Sequence, residues 1–215
     1  AWEGYQDIPL WIMQGYATMA MEAYQQLLQA QSESPTHVFL QAGVGSFAAA
    51  VQAFLVNAYH DAPPKVIIVE PNAADCIFKS FEADDGKAKF VGGEMSTIMA
   101  GLACGEPNTI GWEILRNLSD MAISCPDWVS AYGMRVLGNP LGSDERVISG
   151  ESGALPAGIA SLIMTSDKLL PIREALCIDE TSRILVFSTE GDTDQEKYRS
   201  IVWNGEYPSK IDKEK

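Results

Sequence analysis

The chain has 215 residues, 47% of them hydrophobic, enough to bury the core of one domain or most of a larger one. Lys and Arg number 15 against 29 Asp and Glu, and the resulting charge of −14 argues against nucleic acid or an anionic membrane surface as partner. No apolar run reaches the roughly 18 residues of a membrane helix.

Four cysteines, Cys76, Cys104, Cys125 and Cys177, show no C-x-x-C spacing. They read as free thiols of a cytoplasmic protein, with no metal site expected. His37 and His60 are the only histidines, so imidazole catalysis has few candidates. The opening Ala1-Trp2-Glu3-Gly4 is polar-aromatic and lacks an initiator methionine, so the sequence is expected to be the C-terminal portion of a longer polypeptide.

In chain order, Ile8 to Gln31 places Ile12, Tyr16, Met19, Ala20, Ala23 and Leu27 at spacings of three and four, the pattern of an amphipathic scaffold helix. Pro9 suits its first turn, and Ser32 to Pro35 ends it. Trp2 and Tyr5 ahead of it read as packing residues.

Val38-Phe39-Leu40 is a strand-type run, Gln41 to Ser46 a small-residue turn, and Phe47 onward an alanine-rich helix. A strand running through glycines into a helix start aims unpaired backbone N–H groups and the positive end of the helix dipole at one spot, which suits phosphate. Glycine permits close approach, and the Ser46 hydroxyl adds a donor. Three readings remain open at this point: a tight turn without ligand, a phosphate site, and a dinucleotide site. The last takes Ala48 as third position of G-x-G-x-x-G/A and Glu70 as the ribose-binding acid.

The helix runs through Gln52, Phe54 and Tyr59 to a break at Asp61-Ala62-Pro63-Pro64. Lys65 to Val69 is nearly all apolar, as in a parallel strand buried on both faces. Asn72 to Ala83 reads as a further helix, Asp84 to Lys87 as a turn and Lys89-Phe90-Val91 as a short edge element. Residues 92 to 108 are rich in glycine and small polar side chains, which fits either an ordered loop lining a pocket or a core connection.

Trp112 to Met121 and Asp127 to Leu137 read as amphipathic helices separated by Ser124-Cys125-Pro126, with the Asp127 carboxylate at a helix N-terminus. Gly138 to Asp144 is a turn. Ser149 to Ala154 leads into a small-residue helix through Ala160 and Met164, with Ser149 or Glu151 as its cap. Arg183 to Phe187 is a last buried strand, followed by Ser188 to Asp194 and a helix that includes Tyr198.

Strands alternating with helices indicate an α/β fold, an open, mostly parallel sheet with helices on both faces. Ligands of such sheets bind beyond the carboxyl ends of strands. The Gly43 loop and Ser188-Thr189 both lie at such ends, so one pocket between them is expected.

Taken together, QAGVGS after a strand, TIMAGLACGEPN, SGESGA and FSTEGDTD resemble the fold-type II pyridoxal-phosphate enzymes, whose architecture is that of the tryptophan synthase β chain. WEGY, IPLWIMQGYATMAMEA and CPDWVSAYGMRVL narrow the resemblance to the diaminopropionate ammonia-lyase family, over nearly the whole chain. The resemblance implies pyridoxal 5′-phosphate as cofactor and α,β-elimination of 2,3-diaminopropionate to pyruvate and ammonia. It implies that Gly43, Val44, Gly45 and Ser46 hold the cofactor phosphate and that Thr189, or its neighbour Ser188, meets the pyridine nitrogen. A neutral hydroxyl there makes the ring a weaker electron sink than a carboxylate would.

On the substrate side it points to Thr97, Cys104, Gly105 and Asn108. Residues 1–215 would then be the C-terminal portion of the lyase, mostly its large cofactor-binding domain. The implied partners are a small amino-acid substrate, the N-terminal part of the same enzyme and a second copy in a homodimer.

The Schiff-base lysine of such enzymes lies in their N-terminal part, and none of Lys65, Lys79, Lys87, Lys89 or Lys168 stands in a matching context. No catalytic residue is therefore assigned, and the chain alone is expected to be inactive. A threonine synthase-like or cysteine synthase-like enzyme, or a lysine-free fragment that binds cofactor without turnover, are the alternatives. Cys76 and Cys104 would pair only if the fold brings them together.

Overall fold

Four parallel strands in the order β3-β2-β1-β4 form the centre of the computed structural model, which describes residues 4–211. Trp2 lies outside the described residues. The strands are β1 His37–Gln41, β2 Lys65–Pro71, β3 Met121–Cys125 and β4 Ile184–Val186. His37 stands opposite Lys65 on one side and Ile184 on the other.

Every residue of β1 is buried, as its apolar run requires. Val38 and Leu40 pack with the helices of one face and Phe39 with those of the other. His37 is consumed by this arrangement: Nδ1 bonds the Thr36 hydroxyl at 2.8 Å and Nε2 the Leu176 carbonyl at 2.9 Å.

One face carries α1 Asp7–Gln29, α2 Ser46–Ala58 and α4 Thr109–Leu118; the other carries α5 Asp127–Gly138 and α6 Glu151–Thr165. Three shorter helices, α3 Cys76–Glu82, α7 Leu170–Leu176 and α8 Gln195–Val202, complete the layers. Helices α5 and α6 touch backbone to backbone. A Cβ on Gly133 would lie 2.1 Å from the Ala154 carbonyl oxygen, and one on Gly158 2.2 Å from that of Val129. Among the described residues, no helix is long and apolar enough to cross a membrane.

The sheet contains a strand that the sequence pattern did not show. The helix expected to reach Met121 ends at Leu118, and Met121–Cys125 pairs with β2. Its apolar run is short, Met121-Ala122-Ile123, half-exposed, and follows directly on the helical pattern from Trp112. A tertiary contact anchors it instead, since the Asp120 carboxylate accepts the Val66 N–H at 2.8 Å.

Lys89–Val91 forms no strand; Val91 N–H donates only to the Gly105 carbonyl there. The helix expected from Asn72 starts at Cys76, and α7 was not legible at all. Asp127 does open α5, where its carboxylate accepts from the Thr97 hydroxyl at 2.5 Å and from Ile98 N–H.

Candidate active site

A cavity of about 310 Å³ opens beyond the carboxyl end of β1. The 42–47 turn forms one wall, Thr189 and Glu190 a second, and Gly101, Leu102 and Cys104 a third, with Tyr16 and Met19 of α1 at its border. β1 aims the turn, and the stretch after β4 runs alongside it because the two strands pair. Gly45 is the N-cap of α2 at φ +85°, a left-handed conformation that glycine adopts without a steric penalty. A Cβ there would also stand 2.9 Å from the Leu115 Cδ1.

The α2 N-terminus carries no side-chain cap, and it faces the cavity. Its neighbours are served by their own chain. Glu70 accepts from Ile77 and Phe78 N–H at α3, Asn108 from Ile110 and Gly111 N–H at α4, and Asp194 from Lys197 N–H at α8.

At α6 the expected cap is corrected. Neither Ser149 nor Glu151 serves; the Glu190 carboxylate, from the other end of the sequence, accepts from Ser152 N–H at 2.5 Å and Gly153 N–H at 3.3 Å. Negative charge already occupies α6, while α2 presents free donors and a positive dipole end to the cavity.

At the opposite wall the Gln41 carboxamide donates to the Phe187 carbonyl at 2.9 Å and to Thr189 Oγ1 at 2.8 Å. The Phe187 carbonyl only accepts, so it fixes which end of the amide faces this way. Thr189 Oγ1 is therefore an acceptor toward Gln41, and its own proton remains for a group in the cavity. Ser188 is turned elsewhere: its hydroxyl donates to Ser149 Oγ at 2.8 Å.

Of the residues singled out in sequence, Gly43, Val44, Gly45, Ser46, Thr189 and Cys104 line the cavity, whereas Ser188, Thr97, Gly105 and Asn108 do not. Thr97 serves Asp127, and Gly105 packs so tightly that a Cβ would sit 1.9 Å from the Val91 carbonyl oxygen. Gln41, Glu190, Tyr16 and Met19 were missed. Gln41 left a signal, a polar residue at the end of a buried strand; Tyr16 and Met19 are indistinguishable in sequence from other scaffold positions.

The dinucleotide reading loses its acid. Glu70 is fully buried and spends both carboxylate oxygens on α3 backbone N–H groups, at 2.9 and 2.6 Å. Burial pushes its carboxyl up to about 8 against the pull of those N–H groups.

All four cysteines are free; Cys76 Sγ lies 3.5 Å from the Cys104 carbonyl oxygen, and burial pushes the Cys76 thiol up to about 12. Among the described residues no lysine lines the cavity. Lys65 reaches the Leu176 carbonyl, and Lys79 and Lys89 pair with Asp75 and Asp85.

Residues 6–173 match the family model described as "Pyridoxal-phosphate dependent enzyme". The chain is 53% identical over 207 residues to the diaminopropionate ammonia-lyase of Escherichia coli K12, covering 96% of this chain and 51% of that protein. It is 48% identical to the Salmonella typhimurium enzyme of the same name, with 95% and 51% covered. The crystal structure of the Escherichia coli enzyme in complex with D-serine superposes with a TM-score of 0.89 at 50% identity, over 97% of this chain and 51% of that one. The chain thus spans about half the length of the curated relatives it matches.

Proposed function

The chain belongs to the pyridoxal-phosphate-dependent enzymes, and from that premise we propose that it forms the cofactor-holding part of a diaminopropionate ammonia-lyase. The reaction is α,β-elimination of 2,3-diaminopropionate with release of pyruvate and ammonia. The observation that carries the reading is the uncapped α2 N-terminus behind a left-handed Gly45, opening on a cavity whose far wall offers the Thr189 hydroxyl. These groups fit pyridoxal 5′-phosphate at both ends. Backbone N–H groups of residues 43–46 and the Ser46 hydroxyl would hold the phosphate, and Thr189 would donate to the ring nitrogen.

When bound, the cofactor supplies an electron sink for the substrate α-carbon. The protein's own contribution follows from the side chains in place. Thr189 is a neutral donor, so it leaves the ring nitrogen unprotonated and the sink moderate, which suits a reaction whose leaving amine carries the electrons away. Tyr16 and Met19 of α1 give the cavity an apolar border on one side. Cys104 lines the third wall and is read as facing the substrate; Thr97 and Gly105 stand outside the cavity, and Asn108 backs the 42–47 turn rather than that wall.

The Schiff-base lysine is assigned to the part of the relatives' length that this chain does not span. That part also offers a cover for the apolar side chains Ile8, Trp11 and Ile12, exposed on α1. The complete enzyme is read as a cytoplasmic homodimer, with residues 1–215 mostly in its large cofactor-binding domain.

Gly45→Leu in the full-length chain tests the reading. The new side chain strains the left-handed backbone and meets Leu115, so cofactor retention, followed by visible absorption after gel filtration, is expected to fall at least tenfold. Undiminished retention moves the phosphate elsewhere.

A further inference from the structure

We propose that Asn108 is a positioning residue for the anion end of the cavity, one that sets the direction of the Ser46 hydroxyl proton; this rests on the phosphate reading above. Asn108 is buried and caps α4. Its Oδ1 accepts from Ile110 N–H at 3.0 Å and from Gly111 N–H at 3.3 Å, which fixes the carboxamide: turned over, it would set its amide donors against two N–H donors.

The Nδ2 end therefore faces the α2 N-terminus. It donates to Ser46 Oγ at 2.7 Å and lies 3.7 Å from Met13 Sδ. A second tie runs through the backbone, where Asn108 N–H donates to the Val44 carbonyl at 2.7 Å. A Cβ on Gly111 would stand 3.3 Å from the Gly45 carbonyl oxygen, so the start of α4 presses on the same turn.

A serine hydroxyl has one proton. With Oγ accepting from Asn108, that proton is left for a third partner, and Ser46 lines the cavity. A phosphate offers only acceptors at neutral pH, so a hydroxyl held as donor attracts it, while one free to turn would at times present a lone pair. Asn108 thus acts on the anion through Ser46 without lining the cavity. The cap on α4 and the polarity of the α2 hydroxyl are one device.

The test compares binding of pyridoxal 5′-phosphate and of pyridoxal, which lacks the phosphate, to the full-length chain by visible absorption titration. Asn108→Ser keeps a capping oxygen but loses the donor to Ser46, and Asn108→Asp keeps the cap while turning that donor into an acceptor. Both variants should bind the phosphorylated ligand about tenfold more weakly, Asn108→Asp the more so, and pyridoxal as the parent does. Unchanged pyridoxal binding also reports an intact fold.

In a Ser46→Ala background, Asn108→Ser should have no further effect on either ligand. Equal losses for both ligands, or an effect of Asn108→Ser that persists without the Ser46 hydroxyl, would make Asn108 merely structural and overturn the proposal. If Ser46→Ala leaves the preference for the phosphorylated ligand unchanged, the hydroxyl does not meet the phosphate and the proposal is likewise overturned; the phosphate reading itself fails only if Gly45→Leu retains the cofactor undiminished, a separate result.

Discussion

Glu190 Oε1 lies 2.5 Å from Ser152 N, so a residue beyond the last strand closes the N-terminus of a helix that began 39 positions earlier in the chain, at Glu151. The contact pins the stretch after β4 against α6 and leaves α2 as the uncapped helix start on the cavity. Glu190→Ala should therefore cost about 1–2 kcal/mol of unfolding free energy. Glu190→Gln, which retains an acceptor oxygen, should lose less. Urea unfolding of the two variants checks the order; equal losses would show that charge at the dipole, not the hydrogen bond, stabilises α6.

Glu70 gives a pH dependence with a definite sign. Its carboxyl is raised by burial from 4.5 to about 8 in the folded chain. Between those values the folded state holds a proton that the unfolded chain has released, so this group's contribution is full below about 4.5 and is lost as pH rises through about 8. Denaturation midpoints of the parent should fall across that window relative to those of Glu70→Gln, whose side chain does not titrate. Parallel profiles would place the Glu70 carboxyl near its ordinary value.

At Gly133 and Gly158 the α5–α6 contact leaves no room for a side chain. Gly133→Ala would drive a Cβ to 2.1 Å from the Ala154 carbonyl oxygen and 2.8 Å from Gly158 N. Since both obstacles are backbone, the helices must separate, at a cost of about 3 kcal/mol. Thermal unfolding of Gly133→Ala should show this. A shift comparable to that of Gly15→Ala, where a Cβ meets nothing within 4 Å, would mean that the pair repacks freely.

Thr189→Ala removes the acceptor that Gln41 Nε2 reaches at 2.8 Å, while the bond to the Phe187 carbonyl remains. The stability cost should be about 1 kcal/mol. In the cofactor-loaded full-length chain, retention should persist, the visible absorption band should shift and turnover should fall. A parent-like spectrum would move the ring contact away from Thr189.

Much of this protein was legible in order of residues. The glycine turn after an apolar strand was legible as a helix start with unpaired backbone donors, because those donors and the helix dipole are local consequences of that sequence. β1 and β2 declared themselves because strands buried on both faces carry uninterrupted apolar runs. β3 did not, since its Met121-Ala122-Ile123 run directly continues the helical pattern from Trp112 and only pairing with β2 settles it as a strand.

What the sequence by itself determined was the class of fold and the glycine turn between β1 and α2, both written in spacings of a few residues. Only the tertiary structure decided which polar groups were already spent. Glu70 went to α3, Glu190 to α6, Ser188 to Ser149, and Asn108 to Ser46, in contacts that span up to 62 positions. Hydrogen bonds are exclusive and directional, so a side chain's availability to a ligand depends on partners brought near by folding alone.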